Sequence, residues 1–538
     1  MKKRQKAGSV LLIAMTLFAS FEAFAANTFT AVSGSDWNTA ANWSEGVPVA
    51  GQAVVIDGNA TLTNATPALS SMTVNADKTL TFDGWDTLLT ATTVTIAGTV
   101  THAQNTATTT NSLGAWIPNA RVNIACQTLD IPLGGKIDGN AKGYSGAKAL
   151  TGPGPGYGPG TGLAVSGAGY GGKGGRVGGG APYGSAALPA DPGSGGGSGD
   201  RTGRPGGAGG GAVRIEASGA VIVDGIIQVN GVNGGTSQGG GGSGGAIYIA
   251  CHTFAGSGTL SAAGGTGGSG GAGAGSGGGG RIAIDYDPAA QALLPLPTAR
   301  MTTECGVSGN NSAGDYGDMG TLHFPDHQFL LRQTGDFVHA GQWMVPGLAQ
   351  LSLNSLTMNN GALRFPVGGF ELTITNNLTI KGTDANRYKL EISNGVIRCG
   401  GDIRVDKARL TMLAGQTPSG ALYCAGNMMV TNAGQFHAYS GVTASSSQHG
   451  ALVSVTGDLV VASASYVYPY SHPTNGGSVF FEVGNLALRG LSVIDASAKG
   501  YAGNSYLKDT RKAGFGPGGG VDENYGSSTV CGNFRGIS

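Results

Sequence analysis

The densest charged cluster in this 538-residue chain is the run RCGGDIRVDKAR, Arg398–Arg409. If Ile403 and Val405 turn inward along a strand, Asp402, Arg404 and Asp406 share its outer face. Clustered carboxylates with basic groups on an outer face are what a polysaccharide lyase or hydrolase needs. Arg387, Lys389 and Glu391 lie one repeat earlier. Equivalent positions in the next repeats carry Asn427 and Met429, then Asp458 and Val460, so the acidic column is thin. Charges on a solvent face also keep a sheet soluble and unpaired. No catalytic residue is therefore expected; Asp402, Arg404 and Asp406 are the place to look if the protein is an enzyme.

A second pattern is aromatic. Tyr144, Tyr157, Tyr170 and Tyr183 fall thirteen residues apart in glycine-rich sequence, each followed by Gly or Ser. They are candidate ligand-binding residues, as platforms for stacking on sugar rings. For any one of them, packing inside a folded lobe is the simpler role. The surrounding glycine produces motif look-alikes. GAGYGGKG (Gly167–Gly174) nearly meets the P-loop pattern, but Gly174 replaces the hydroxyl that would bind Mg²⁺, and no helix pattern follows. GGSGG (Gly241–Gly245 and Gly267–Gly271) matches a nucleophile elbow only because glycine is everywhere, and no catalytic His can be placed beside it. GDYGDMG (Gly314–Gly320) offers too few calcium ligands. No nucleotide, cofactor or metal is expected.

The elements that must position these residues announce themselves as a repeat. NSLTM (Asn354–Met358), NNLTI (Asn376–Ile380), GDIRV (Gly401–Val405), GNMMV (Gly426–Val430), GDLVV (Gly457–Val461) and GNLAL (Gly484–Leu488) start 22, 25, 25, 31 and 27 residues apart. SSMTV (Ser70–Val74) and TTVTI (Thr92–Ile96) are weaker relatives. Aliphatics at i and i+2 share one face of a strand, and stacking at about 4.8 Å per coil buries them as a column. Coils of this length predict an all-β, right-handed parallel β-helix, with Asn or Asp at the corner. Cys399 and Cys424 occupy equivalent positions and should stack as small buried residues, a disulfide being the alternative.

Glycine tracts alternate with strands. GAVRI (Gly211–Ile215), GAIYI (Gly245–Ile249) and GRIAI (Gly280–Ile284) each follow one directly, and VNIACQTLDI (Val122–Ile131) shares I-A-C-x-T with IYIACHTFAG (Ile247–Gly256). Runs such as GGTGGSGGAGAGSGGGG carry glycine at a loose period of three, which suits a polyproline-II-like chain that only glycine lets pack closely. A partly ordered, polyglycine-II-like lobe is expected, its last tract returning the chain to the coils at Arg281. IDGNAKGYSG (Ile137–Gly146) and GYGPGTG (Gly156–Gly162) recur as IDASAKGYAG (Ile494–Gly503) and GFGPGGG (Gly514–Gly520). The expected organisation is a signal peptide at 1–25, a cap and first coils at 26–135 and a glycine-rich module interleaved with coil strands at 136–290. Coils follow at 291–490, then the start of a second glycine module at 491–538, reading as part of a longer protein.

Composition narrows the function classes. The formal net charge is zero with no basic run, which argues against nucleic acid. A cationic start (MKKRQK), a short apolar core and Ala23-Phe24-Ala25 make an export signal. No later run is apolar enough for a transmembrane helix. The six cysteines then belong in an oxidising compartment; none forms a CxxC, so zinc is not expected.

DWNTAANWSEGVPVAGQAVVI (Asp36–Ile56) resembles the W-x-x-A-x-N-W-x-x-G-x-P entry segment of autotransporter-like bacterial surface proteins with β-helical passengers, through Trp37, Asn42, Trp43, Gly46 and Pro48. The resemblance covers about the first hundred residues. It implies a secreted or cell-surface β-helix, adhesive or structural, and brings no catalytic residues. The expectation is an exported, non-catalytic protein at the outer cell surface that meets an extracellular glycan or cell-surface matrix. A carbohydrate-active β-helix enzyme, a polysaccharide lyase or hydrolase, is the alternative.

Overall fold

The structure, a computed structural model, describes residues 26–501 apart from 149–151, 200, 202, 236, 271–272, 311–314, 414–419 and 444–448. The expected signal peptide and the second glycine motif at Gly514–Gly520 lie outside the described residues.

The chain is nearly all β, built as two large sheets whose strands pair in parallel with the corresponding strand of the next coil. The six-unit repeat stacks in register: Leu356, Leu378, Ile403, Met428, Leu459 and Leu486 form one file across the smaller sheet. All but Leu486 are essentially fully buried. In the larger sheet Val122, Val213, Ile247, Ile282, Leu322 and Trp343 form a second buried file. Alternation alone does this, since each strand sends every second residue inward and the next coil repeats the choice. Each fully buried aliphatic contributes roughly 1.5–3 kcal/mol, and one continuous apolar core runs from Phe29 to Val467.

The first coil closes on the tryptophan segment. Trp37 and Trp43 are buried with ring centroids 4.6 Å apart, Trp43 packs edge-on to Phe29, and its indole N–H donates to the Trp37 carbonyl at 2.7 Å. Asn42, fully buried, accepts from the Ser33 amide and donates to the Asp36 carbonyl.

The glycine tracts bond to one another through their backbones. From residue 240 to 245 the amides donate in strict rotation: Gly240 to Gly197, Gly241 to Gly275 and Gly242 to Val232, then Ser243 to Ser194, Gly244 to Gly278 and Gly245 to Val229. The carbonyls of the same tract accept from Gly207 and Gly210, from Gly265 and Gly268, and from Ala168. A period of three residues is thus a period of three directions. The spacing forbids side chains: a Cβ on Gly242 would sit 2.0 Å from the Ala208 carbonyl oxygen, and one on Gly244 2.0 Å from that of Ala262.

One expectation is corrected here. The chain does not finish with glycine at Arg281, because residues 303–310 and 315–320 bond to the earlier tracts. Gly306 donates to Gly277 and Gly279 to Asp318, before Thr321–His323 stacks on Arg281–Asp285. The signal is glycine at 306 and 309, then at 314, 317 and 320.

Candidate ligand-binding face

Four consecutive strands of the larger sheet, Lys389–Ser393, Arg409–Leu413, Gln435–Tyr439 and Tyr466–Tyr470, stack in parallel register. Leu390, Leu410, Phe436 and Val467 point into the core. The alternate residues therefore share the opposite face. One file there reads Lys389, Arg409, Gln435, Tyr466; the next reads Glu391, Thr411, His437, Tyr468; a third ends in Tyr439 and Tyr470. The rings form a single cluster. Tyr439 and Tyr470 stack at 4.0 Å and 5° between planes, Tyr466 and Tyr468 lie parallel at 5.6 Å, and His437 sits 4.7 Å from Tyr468. Parallel in-register strands put like residues one strand spacing apart, which makes such a stack rigid without any loop to hold it. The four tyrosines are half-buried.

Charge runs along one side of the rings. Glu391, 6 % exposed, accepts from Arg364 Nε at 2.7 Å and lies 3.3 Å from Lys389 Nζ. Burial alone would raise its pKa, but Lys389, Arg364 and Arg409 together hold it down at about 2. Burial, aided by Arg409, pushes the His437 imidazole down to about 3, so it is neutral and bonds to Gln435 and Tyr470.

Sequence reading missed this face. Its signal was the alternation in Tyr466-Val467-Tyr468-Pro469-Tyr470, with Gln435, His437 and Tyr439 one coil earlier.

The expected charged site has a different character. Ile403 and Val405 do turn inward. Asp402 and Asp406 are committed, however. Asp402 sits in a corner ladder in which the Asn377 side-chain oxygen accepts from the Asp402 amide at 2.8 Å. Asp402 Oδ1 then accepts from the Asn427 amide at 2.7 Å, and Asn427 Oδ1 from the Asp458 amide at 2.9 Å. Asp406 accepts from Arg404 at 2.9 Å and from Asn432 at 2.8 Å. Arg387, Lys389 and Glu391 do not join them: Lys389–Ser393 belongs to the larger sheet and Ile403–Asp406 to the smaller one. A coil contains more than one strand, so an offset of one repeat does not by itself place residues on one face.

The four spaced tyrosines are not brought together as one surface. Tyr144 is 1 % exposed and packs edge-on to Trp116 at 5.3 Å; Tyr170 is fully buried, 4.7 Å from the half-buried Tyr183. Stacking on a sugar is corrected for Tyr144 and Tyr170, because neither ring offers a face to solvent. Arg281 clamps this pair, its guanidinium 5.3 Å over Tyr170 and donating to the Tyr183 carbonyl at 2.7 Å. Tyr157 is half-buried, with its backbone bonded into the glycine tracts.

The P-loop look-alike lies inside the glycine tracts, where a Cβ on Gly171 would stand 2.0 Å from the Gly280 carbonyl oxygen. Ser243 of the first GGSGG is buried and its Oγ accepts from the Ser194 amide at 2.8 Å. Cys399 and Cys424 are register partners, buried and unpaired, each thiol donating to backbone carbonyls.

A groove of about 660 Å³ crosses the middle of the strand Val122–Ile131, at Ala125 and Cys126, and the ends of the strands stacked on it. Glu216 and Asp285 line it, in register on either side of Ala250, with Cys126 and Cys251 on the floor. Burial pushes the Cys126 thiol up to about 11 and that of Cys251 to about 12, so neither is a thiolate nucleophile. Among the described residues no cluster of His, Cys, Asp and Glu has metal-site geometry, and no helix is long and apolar enough to cross a membrane. Comparison with protein-family models, curated proteins and solved structures finds no match to this chain.

Proposed function

We propose that the chain is an exported, non-catalytic surface or extracellular protein, adhesive or structural, that presents a glycan-binding face on a right-handed parallel β-helix. The observation that carries this reading is the tyrosine cluster of Tyr439, Tyr466, Tyr468 and Tyr470 on rigid stacked strands. Aromatic faces of this kind take the apolar C–H faces of sugar rings. The glycine tracts form a polyglycine-II-like lobe, supported by the three-direction rotation of their amides. Its role is architectural: a dense bundle that braces the coils. Export is supported by the N-terminal charge and hydropathy pattern. The resemblance of the Trp37–Pro48 segment to autotransporter-like proteins fits the outer cell surface, with a glycan or cell-surface matrix as partner.

The test is a glycan array with the full chain, alongside cell fractionation. Binding without turnover, weakened about tenfold or more in Tyr470→Ala and unchanged in Tyr388→Ala, is the expected result. Absence of binding to every glycan, or a cytoplasmic location, contradicts the reading.

One observation favours the second reading, a carbohydrate-active enzyme. Glu216 and Asp285 stand two strands apart across the groove. At about 4.8 Å per strand their Cα atoms are about 9.6 Å apart, a spacing compatible with two carboxyls flanking a glycosidic bond. Release of reducing ends by the native chain, abolished in Asp285→Asn, would establish that reading instead.

A further inference from the structure

Cations on the tyrosine side of the larger sheet fall into two groups. Arg364 is matched by Glu391 and Asp318, Lys389 by Glu391, and Arg387 by Glu304. Glu391 is therefore already taken twice. Arg409 and Lys499 have no carboxylate within ion-pair distance among the described residues. Arg409 is half-buried; its Nη2 makes one long bond of 3.4 Å to the Asn386 carbonyl, and its Nε has no acceptor. Lys499 is held against the rings, 5.0 Å from the Tyr470 centroid and 5.6 Å from that of Tyr468. The acid nearest Lys499 along the chain, Asp495, is engaged by the Ser497 amide at 2.8 Å.

An aromatic platform flanked by two cations that make no close ion pair selects its ligand by charge as well as by shape. A guanidinium that acts on Glu391 only from beyond ion-pair distance, and is partly shielded from water, pairs more strongly with an acid group than one on an open surface. Chains with many phosphates are a poorer fit. Their affinity depends on several cations in a stripe, and the chain has no such stripe and zero net charge.

We propose that this face binds an acidic glycan, its sugar rings lying on Tyr439, Tyr468 and Tyr470 and its carboxylate or sulfate group paired with Arg409 and Lys499. The inference rests on the glycan-binding reading and adds the class of sugar.

The experiment is titration calorimetry of the full chain against polygalacturonate, its fully methyl-esterified form, dextran sulfate, uncharged dextran and a single-stranded oligonucleotide. The expected result is at least tenfold tighter binding of one acidic polymer than of its uncharged counterpart. That preference should fall about tenfold in Lys499→Gln and in Arg409→Gln, and recover in part in Arg409→Lys. Lys499→Gln removes the cation over the Tyr468 and Tyr470 rings but touches no core residue, so its result stands even if Arg409 variants fold poorly. Equal binding of charged and uncharged forms, still lost in Tyr470→Ala, overturns the acidic class and leaves the glycan reading standing. Binding of no polysaccharide overturns both, as does binding of the oligonucleotide alone.

Discussion

The coil stack and the glycine tracts are two solutions to the same problem, a chain that must bury its backbone without a globular core. In the stack, side chains do the burying. Ile403 lies between Leu378 and Met428 in a file of aliphatics, and the backbone bonds follow one direction from coil to coil. In the tracts, the backbone itself is the core. Each segment donates in three directions, and carbonyls occupy the space where side chains would be. The difference teaches that damage has opposite signs in the two regions. The stack is hurt by removing atoms, the tracts by adding them.

The largest expected effect comes from adding atoms where none fit. Gly242→Val places its Cβ about 2 Å from the Ala208 carbonyl oxygen. Overpacking against backbone should cost about 3 kcal/mol or more, read as a large fall in Tm or loss of soluble protein. Gly152→Ala is the control, since nothing lies within 4 Å of its Cβ position, and it should leave Tm unchanged. Equal effects of the two changes would erase the proposed contrast.

Next comes removal from the stack. Ile403→Ala should cost about 2–5 kcal/mol through the cavity left in a fully buried file, measured by denaturant unfolding. A cost below about 1 kcal/mol would mean the file is loosely packed.

A third effect joins the two regions through buried imidazoles. His102 Nε2 accepts from the Ala212 amide at 3.2 Å, directly after Gly211, while Nδ1 bonds to the Ala103 carbonyl at 2.8 Å. His339 Nδ1 accepts from the Met301 amide at 3.2 Å. Burial first, then nearby cations, lowers His102 to about 4 and His339 to about 3. The unfolded chain takes up protons near the ordinary histidine value of about 6.5, whereas the folded chain resists until about 4 and 3. Stability is therefore full above pH 6.5 and falls as pH drops through that window. His102→Gln should flatten part of the slope of Tm between pH 6.5 and 4; an unchanged slope would show that His102 is not buried neutral.

The smallest effect is at the corner. Asp402→Asn keeps the acceptor for the Asn427 amide and should be close to neutral, whereas Asp402→Ala should cost about 1 kcal/mol. Any loss of turnover in Asp402→Asn would instead revive a catalytic role there.

The register of the stack was legible in the sequence because the signal is local. Two aliphatics and a corner Asn or Asp repeat within five residues, and Cys399 and Cys424 fell opposite each other as their spacing required. Glycine strands were legible only where they ended, at Ala212, Ala246 and Arg281, which are register partners. The rest was not, since a glycine amide carries no mark of its acceptor: Gly275 bonds to Val165, more than a hundred residues away. The tyrosine face was missed for another reason. Pro469 in the middle of the Tyr466–Tyr470 pattern reads as a loop, yet it stacks in register opposite Ala438 within the sheet.

The most direct test of the central claim is amide hydrogen exchange on peptides covering residues 239–246 and 273–281, compared with the strand Ile403–Asp406. The three-direction bonding predicts protection in the glycine peptides that matches the strand and is lost in Gly242→Val. Exchange at the rate of an unstructured chain in both glycine peptides, with the strand still protected, would contradict it.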